Sequence, residues 1–400
     1  MRLGGPIPKN FNAIVQFNSE CGFSGGAIKS GQIMTKSVLG IIGGSGLYNL
    51  PGLENSRWET VAGPWGAPSD QVMFAELDGL PVRFLPRHGR GHKISPSYIN
   101  YRANIDCLKR AGVTDLVSVS ACGSLKKKYA PGTFVFVDQF IDRTFAREKS
   151  FFGEGCVAHV ALADPVSPGL RKRIEKAARE EDIGYHKGGT YLVMEGPQFS
   201  TRAESNLYRS WDCDVIGMTN MPEAKLAREA EICYATVAMV TDYDCWHEDH
   251  ADVDIQSILA VMKDNTEKAQ RLIHRLAKDF PREHEACPIG SDKALEFAII
   301  TAPDARDPQW MKKLDAVAGR VLLYPPNPIK IFILMRSGKN ISSSPPNSQS
   351  MAVKSMSAGM AATTAFRKNL TKCRKGTSNW RTTAGEGASE TVCSAAMGSA

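Results

Sequence analysis

The chain contains 400 residues, of which 42% are hydrophobic, 23% charged and 8% aromatic, a composition typical of a globular protein with one large or two ordinary domains. Its net charge of +7 comes from the two ends: residues 320–400 carry 11 Lys/Arg against 2 Asp/Glu and residues 1–37 carry 4 against 1, whereas residues 38–319 carry 34 against 39. The acidic middle argues against a nucleic-acid-binding domain, and no apolar run approaches the roughly 18 residues that a membrane span needs.

The N-terminal segment and the cysteines indicate a cytoplasmic protein. Residues 1–37 are rich in Gly, Ser and Asn and are predicted to be a flexible leader, without the apolar block of about 7–15 residues that a secretory signal requires. The ten cysteines include no C-x-x-C pair and no metal-ligand spacing with histidines. A chain of this length does not need disulfides, so we expect reduced, mostly buried thiols and no metal site.

From residue 38 onward, short apolar segments alternate with helical patterns. The strand-like segments are 38–43, 71–77, 81–86, 115–120, 133–138, 189–194, 213–217 and 233–240. The helical patterns are 97–111, 168–182, 200–210, 221–231 and 255–279. Because this alternation is typical of a sheet covered by helices on both faces, we predict a single α/β domain over residues 38–321.

After about residue 282 the pattern loosens. Residues 294–301 are predicted to form another strand and residues 310–318 a short helix. From residue 322 the chain is rich in Ser, Thr, Lys and Pro and has few aromatics, so it cannot bury enough apolar surface to offset the entropy lost on ordering. We predict that residues 322–400 form a disordered basic tail.

Two loops that follow predicted strands have the composition of anion sites. In the G-G-S-G stretch 43–46, backbone N–H groups can converge on an anion and the Ser45 hydroxyl adds a donor, although a plain tight turn explains the glycines equally well. The R-H-G-R-G-H-K stretch 87–93 holds five cationic or cationisable side chains, and arginine binds phosphate through paired N–H groups. A solvated basic loop is the alternative for this second stretch.

Small and acidic residues stand at two more strand ends. Ser120 and Ala121 let a ligand approach the backbone at the carboxyl end of a strand, where open α/β sheets bind ligands. Asp242 and Asp244 point the same way if their strand persists, and they can accept from an exocyclic amine or carry a proton to a ring nitrogen. Metal binding and turn capping are the alternatives for these acids.

An aromatic and a methionine complete the set. Phe199 can stack on a planar base and Met218 can lie under a sugar, although core packing explains either residue alone. Four loops suited to anions or bases, each after a predicted strand, together indicate one ligand site.

Eight stretches follow one another between about residues 38 and 273, some 60% of the chain. They are I-I-G-G-S-G-L-Y, R-H-G-R-G-H, N-Y-R-A-N-I, S-A-C-G-S-L, D-Q-F-I-D-R-T, E-G-P-Q-F-S-T-R-A-E, G-M-T-N-M-P-E-A-K-L-A and A-M-V-T-D-Y-D-C-W. In this order they resemble the methylthioadenosine phosphorylase branch of the purine nucleoside phosphorylase family. The resemblance implies a central mixed sheet flanked by helices, a homotrimer with sites near subunit boundaries, and neither a metal nor an organic cofactor.

The resemblance also assigns roles to individual residues. Those implied to bind phosphate, the co-substrate, are Ser45, Arg87, His88, Ser120, Ala121 and Thr219. Those implied to bind the nucleoside are Phe199, Ser200, Met218, Asp242, Asp244 and Ile255, with His159 reaching into the site of a neighbouring subunit. Asp242 is the expected catalytic residue, because it stands where the family contacts N7 of the purine.

Two positions favour a 6-aminopurine. In the 6-oxopurine phosphorylases of the family a glutamate follows the phenylalanine of G-P-x-F and an asparagine contacts N7, whereas this chain has Ser200 and Asp242 there. The apolar region near Ile255 and Leu259 suits a methylthio group better than a 5′-hydroxyl, although nearby His250 keeps an ordinary nucleoside open. The implied reaction is phosphorolysis of 5′-methylthioadenosine to adenine and 5-methylthioribose 1-phosphate.

Three alternative functions remain open on sequence grounds. The nearest is a purine nucleoside phosphorylase with broader or 6-oxopurine specificity. A second is an NAD-binding oxidoreductase, suggested by the first glycine-rich loop, which has Asn49 in place of the third glycine of the dinucleotide fingerprint. The third is a non-catalytic scaffold whose basic tail binds RNA or acidic partners.

Overall fold

The computed structural model describes residues 35–44, 46–247 and 255–323, and within these ranges a sheet of eleven strands is flanked by seven α-helices. The strands are β1 (Leu39–Gly43), β2 (Leu53–Glu59), β3 (Val72–Leu77), β4 (Leu80–Pro86), β5 (Asp115–Ser124), β6 (Phe134–Phe136), β7 (Gln139–Asp142), β8 (Tyr185–Lys187), β9 (Thr190–Val193), β10 (Val215–Gly217) and β11 (Cys233–Asp242). The helices are α1 (Tyr101–Arg110), α2 (Pro168–Glu180), α3 (Arg202–Ser210), α4 (Asn220–Glu229), α5 (Ile255–Lys278), α6 (Pro308–Lys313) and α7 (Asp315–Leu323).

The sheet is mixed, as the resemblance implies. Its main path runs β2-β3-β4-β1-β5-β10-β9-β7, and β11 pairs with both β5 and β6. Strand β5 lies parallel to β1 and β11 but antiparallel to β10. Because β5 has three partners, its carboxyl end lies beside the ends of several other strands, and this is the geometry that brings distant loops together.

Helices cover both faces of the sheet, and each face has its own apolar cluster. Along β1, Ile42 packs into one cluster with α1, α4 and α7, whereas Leu39 and Ile41 pack into the other with α2 and α5. This alternation follows from the period of two in a strand, and it explains why buried strands appear as continuous apolar runs in the sequence. None of the helices in the described ranges is long and apolar enough to cross a membrane.

The helix boundaries follow from local side chains. Ser167 caps α2 by accepting from the Leu170 N–H, with a proline in the first turn. At α3, Thr201 and Glu204 form a reciprocal capping box that satisfies the first backbone donors of the helix. The seven described cysteines are all free and six of them are buried, which confirms the expectation of core thiols for this part of the chain.

The predicted strand at 294–301 is wrong. Leu295 and Ala298 are buried while Phe297 and Ile300 are exposed, so the apolar residues do not alternate as in a strand. The segment consists mainly of turns. Among the described residues, its one β-type pairing is an isolated bridge between Ile299 and Ala158. The helix predicted at 310–318 is two short helices, α6 and α7, separated at Leu314.

Three strands, β2, β7 and β8, were not predicted. Strand β2 is mostly exposed and polar, and β8 has only three residues, so neither carries an apolar run. The predicted leader lies almost wholly outside the described residues, as does the predicted tail from residue 324 onward, and the domain limits 38–321 stay a prediction.

Candidate active site

A cavity of about 530 Å³ opens at the ends of β4, β5, β10 and β11. It brings together nine of the residues that the sequence singled out: Arg87, His88, Ser120, Ala121, Phe199, Met218, Thr219, Asp242 and Asp244. These residues span more than 150 positions of the chain, so the strand topology is what assembles them. The volume falls within the range of small-molecule sites.

Two predicted site residues with described side chains, Ser200 and His159, are not among those lining the cavity. Ser200 is buried beside it, and its carbonyl accepts from the Cys245 thiol at 3.3 Å. His159 is exposed on the surface of this chain, with its backbone N–H donated to the Ala298 carbonyl. Ser45 and the side chain of Ile255 lie outside the described residues. Leu259, expected near the 5′ group, is 58% exposed, and α5 contributes Met262 and Thr266 to the cavity instead.

Arg87 anchors one end of the cavity although it is 2% exposed. Its Nε donates to Oε2 of Glu223 at 2.8 Å, and its Nη2 donates to Oε1 of the same carboxylate at 3.1 Å. Further donations go to the Val119 and Ile42 carbonyls and to the Ser118 hydroxyl. A buried guanidinium requires such compensation, and these contacts fix its position at the cavity wall.

His88 follows Arg87 and is neutral at pH 7, because burial lowers its pKa to about 4. Its Nδ1 lies 2.8 Å from the Ile94 carbonyl. Since a carbonyl only accepts, Nδ1 carries the hydrogen and Nε2 is an acceptor. The ring stacks on His92 at 4.2 Å between centroids, and His92 and Lys93 line the same cavity. Four of the five basic side chains of the stretch 87–93 therefore line the cavity, whereas Arg90 is not among the lining residues and pairs with Asp70.

Asp242 and Asp244 lie at the end of β11, in the same cavity. Oδ1 of Asp242 accepts the Asp244 N–H at 2.8 Å, and Oδ2 accepts the Thr241 hydroxyl at 2.7 Å. Burial raises the pKa of Asp242, and burial together with the Asp242 charge raises that of Asp244 to about 6. Oδ2 of Asp244 is buried without a hydrogen-bond partner among the described residues, so it is an acceptor, or when protonated a donor, for a ligand.

Gly123 explains why the end of β5 is built from small residues. A Cβ at Gly123 would lie 2.9 Å from Oδ1 of Asp242 and 3.4 Å from Cβ of Asp244. The register of β11 on β5 also shifts between Val240 and Asp242, opposite Gly123. Such a bulge re-aims the side chains that follow it. The absence of a side chain at Gly123 thus leaves room for the two acids.

Sequence reasoning missed two buried residues that organise the site, Arg147 and Glu223. Arg147 Nη1 donates to the carbonyls of Met218 at 2.6 Å and Met221 at 2.7 Å, and its Nε donates to Glu195 at 3.1 Å. Glu223 pairs with Arg87 across 136 positions of sequence. Both lie in or near the quoted stretches, but no local pattern reveals a partner so distant in the chain.

The cavity joins a basic wall to a pair of acids on a mixed sheet flanked by helices, as the family resemblance implies. The model of the phosphorylase superfamily matches residues 38–278. The chain belongs to this superfamily. The family resemblance drawn from the sequence is thereby confirmed.

Individual relatives narrow the class. The chain is 66% identical over 289 residues to the S-methyl-5′-thioadenosine phosphorylase of Bradyrhizobium diazoefficiens, covering 72% of this chain and 99% of the relative. It is 61% identical over 287 residues to the protein of the same name from Cereibacter sphaeroides, covering 72% and 99%.

Solved structures give the same result. A methylthioadenosine phosphorylase from an Antarctic soil metagenomic library matches with a TM-score of 0.66 at 44% identity, covering 71% of this chain and 99% of that one. The methylthioadenosine phosphorylase of Schistosoma mansoni in complex with adenine matches with a TM-score of 0.57 at 34% identity, covering 60% and 91%. The predicted mixed α/β fold is confirmed.

Proposed function

We propose that the protein transfers the pentosyl group of 5′-methylthioadenosine to inorganic phosphate, releasing adenine and 5-methylthioribose 1-phosphate. It is an enzyme of the pentosyltransferase class, and the reaction salvages a purine base and the methylthio group. The observation that carries the proposal is the single cavity that holds Arg87 at one wall and Asp242 with Asp244 at another. The high identity to named methylthioadenosine phosphorylases supports the same reaction.

The cationic wall suits the attacking phosphate. Glycosidic bonds break through a transition state in which the sugar carries positive charge, so an anion beneath C1′ both stabilises that charge and forms the new bond. Arg87 offers a fixed guanidinium, and the neutral His88 offers Nε2 as an acceptor for the hydroxyl of a singly protonated phosphate. Ser120 and Thr219 line the same cavity. Thr219 directly precedes α4 and lines the cavity beside Met218.

The acidic wall suits the departing adenine. A purine leaves more readily when N7 gains a proton as the bond to C1′ breaks. We assign this proton to Asp242, whose pKa is raised by burial, and we assign acceptance from the 6-amino group to Asp244. Because the two carboxyl groups interact, they titrate as a pair, and at least one holds a proton more readily than an exposed aspartate does.

The remaining parts of the proposal concern assembly, cofactors and location. We propose a homotrimer in which His159 completes a neighbouring site, supported by exposed aromatic residues such as Tyr98 and Phe145, which are 85% and 82% exposed. No metal or organic cofactor is required, because phosphate itself is the nucleophile. A cytoplasmic location is part of the same proposal, and cell fractionation tests it.

The decisive experiment is an assay of base release by the purified full-length protein. We expect adenine to form from 5′-methylthioadenosine only when phosphate is present, with a higher kcat/KM than adenosine and far higher than inosine. Equal or better use of inosine would instead establish a 6-oxopurine phosphorylase. Base release that does not depend on phosphate would contradict phosphorolysis.

A further inference from the structure

A continuous chain of buried hydrogen bonds links Arg87 to Ser120 behind the wall of the cavity. Arg87 donates to Glu223, as described above, and the Tyr234 hydroxyl donates to Oε1 of Glu223 at 3.0 Å. Asn220 Nδ2 donates to the Tyr234 oxygen at 2.9 Å, and the Ser120 hydroxyl donates to Asn220 Oδ1 at 3.1 Å. This series of hydrogen bonds therefore joins the ends of β4 and β5 through α4 and β11.

The three intermediate residues do not line the cavity. Asn220 and Glu223 are fully buried and Tyr234 is 1% exposed, whereas Arg87 and Ser120 at the two ends are cavity residues. Any effect of the intermediate residues on a ligand is therefore indirect. Their influence has to act through the orientation of the two terminal side chains.

The direction of every hydrogen bond in this chain is determined. The Thr236 hydroxyl donates to the Ser118 carbonyl at 3.2 Å, so its oxygen accepts from Asn220 Nδ2 at 2.7 Å, and the amide is fixed with Oδ1 facing Ser120. The Tyr234 hydroxyl accepts from Asn220 and so must donate to Glu223. The carboxylate in turn accepts from both Tyr234 and Arg87. Because each group supplies what the next one needs, replacing one member removes a hydrogen bond from a buried partner.

We propose that Glu223 and Asn220 are positioning residues for phosphate: they hold Arg87 and Ser120 at the spacing that the anion requires. The inference rests on the proposed function, because it takes the cavity wall at Arg87 and Ser120 to be the phosphate side. Two oxygens of Glu223 accept two N–H groups of one guanidinium, an arrangement that fixes its plane. A glutamine has one oxygen and one donor in that place, and the donor would face a guanidinium donor, so Arg87 would have to turn.

The test compares steady-state kinetics of full-length variants with phosphate and methylthioadenosine varied separately. We expect Glu223→Gln to raise the KM for phosphate about tenfold or more, the size of a lost hydrogen bond to a charged group. The KM for methylthioadenosine should change less than about twofold, because the acids at the other wall are untouched. Tyr234→Phe removes the central hydroxyl alone and keeps the ring, and it should raise the phosphate KM in the same direction by about threefold.

The matched control is Glu229→Gln. Glu229 lies on the same helix α4 and accepts from the Ser150 hydroxyl and the Phe151 N–H, both at 2.7 Å. These hydrogen bonds involve none of the residues that link Arg87 to Ser120. Its replacement should leave the phosphate KM unchanged. An equal rise in Glu223→Gln and Glu229→Gln would show a general loosening of α4 and would overturn the proposal.

Two further outcomes separate the inference from the proposed function. If Arg87→Ala raises the phosphate KM while Glu223→Gln and Tyr234→Phe leave it unchanged, the positioning role is wrong and the phosphate assignment stands. If Arg87→Ala also leaves it unchanged, the phosphate wall itself is misassigned. Should Glu223→Gln fail to fold, Tyr234→Phe alone decides, and an unchanged phosphate KM in that variant overturns the inference.

Discussion

At the scale of single residues, the two aspartates at the end of β11 have different environments although they are two positions apart. Both oxygens of Asp242 accept described hydrogen bonds, whereas Oδ2 of Asp244 has none among the described residues. The first arrangement fixes the orientation of a carboxyl group, and the second leaves an atom for a ligand. The two hydrogen bonds also favour the ionised form of Asp242 and offset part of the rise in pKa that burial causes, whereas Oδ2 of Asp244 has no such compensation.

Replacing the proposed proton donor should slow the chemical step. We expect Asp242→Asn to reduce kcat on 5′-methylthioadenosine by roughly 10²-fold or more, the usual size of general acid catalysis, because an amide cannot give up a proton to N7. The phosphate KM should stay near the wild-type value. An unchanged kcat would remove Asp242 from the mechanism.

Asp244 should also affect stability in a pH-dependent way. Its folded-state pKa of about 6 lies above the ordinary value of 3.8, so the stability that its proton contributes is present below about pH 3.8 and is lost as the pH rises through 6. Asp244→Asn removes this loss. We therefore expect the variant to melt about 2–4 °C above the wild type at pH 7.5, a shift typical of about 1 kcal/mol.

The same comparison at pH 4.5 serves as the control, because the wild-type carboxyl is then largely protonated and the difference in melting temperature should shrink. Scanning calorimetry of both proteins without substrate gives the two values. A variant that is less stable at pH 7.5 would mean that the ionised Asp244 is compensated in the fold, contrary to its buried and unpaired oxygen.

At the scale of elements, the strand ends were largely predictable from sequence and their partners were not. Buried strands such as β1 and β11 are continuous apolar runs, and the helices between them show the helical period, so both appear in a single window of sequence. Strand β2 is held by its pairing with β3 rather than by its own composition. The Arg87–Glu223 pair likewise depends on the fold. The two residues are 136 positions apart, and no pattern in the sequence near either one indicates its partner.

The packing of β5 against Asp242 predicts that a side chain at Gly123 lowers activity. We expect Gly123→Ala to lower kcat/KM for methylthioadenosine by at least about tenfold, because the new methyl group would lie 2.9 Å from Oδ1 of Asp242 and displace it. Gly184→Ala is the matched control, since a Cβ there meets nothing within 4 Å. Equal activity of the two variants would show that the acid tolerates displacement.

At the scale of the whole molecule, the chain presents large aromatic side chains to solvent on loops next to the cavity. Phe145 is 82% exposed while its backbone N–H donates to Glu195, which in turn accepts from Arg147. The backbone that carries this exposed ring is therefore hydrogen-bonded to Glu195, the partner of Arg147. Subunit contact at this position would couple assembly to the geometry of the cavity.

We expect the protein to behave as a trimer of about 131 kDa, three times the chain mass of 43.6 kDa, in sedimentation equilibrium. Phe145→Asp, which places a charge where the proposed contact would be buried, should shift the mass towards that of the monomer and lower activity together. Asp182→Asn, a change of charge on the exposed turn that follows α2, should do neither. A monomeric wild-type protein with full activity would contradict the proposed assembly.

The short piece of β5 from Ser120 to Gly123 borders both walls of the cavity, and three residues of extended strand span only about 10 Å. In the proposed arrangement, the backbone of β5 therefore sets the distance between the phosphate and the purine. An inhibitor with a longer linker between its phosphate-like group and its purine-like group would have to distort the centre of the sheet. Compounds designed against this enzyme should keep that bridge constant and vary substituents elsewhere.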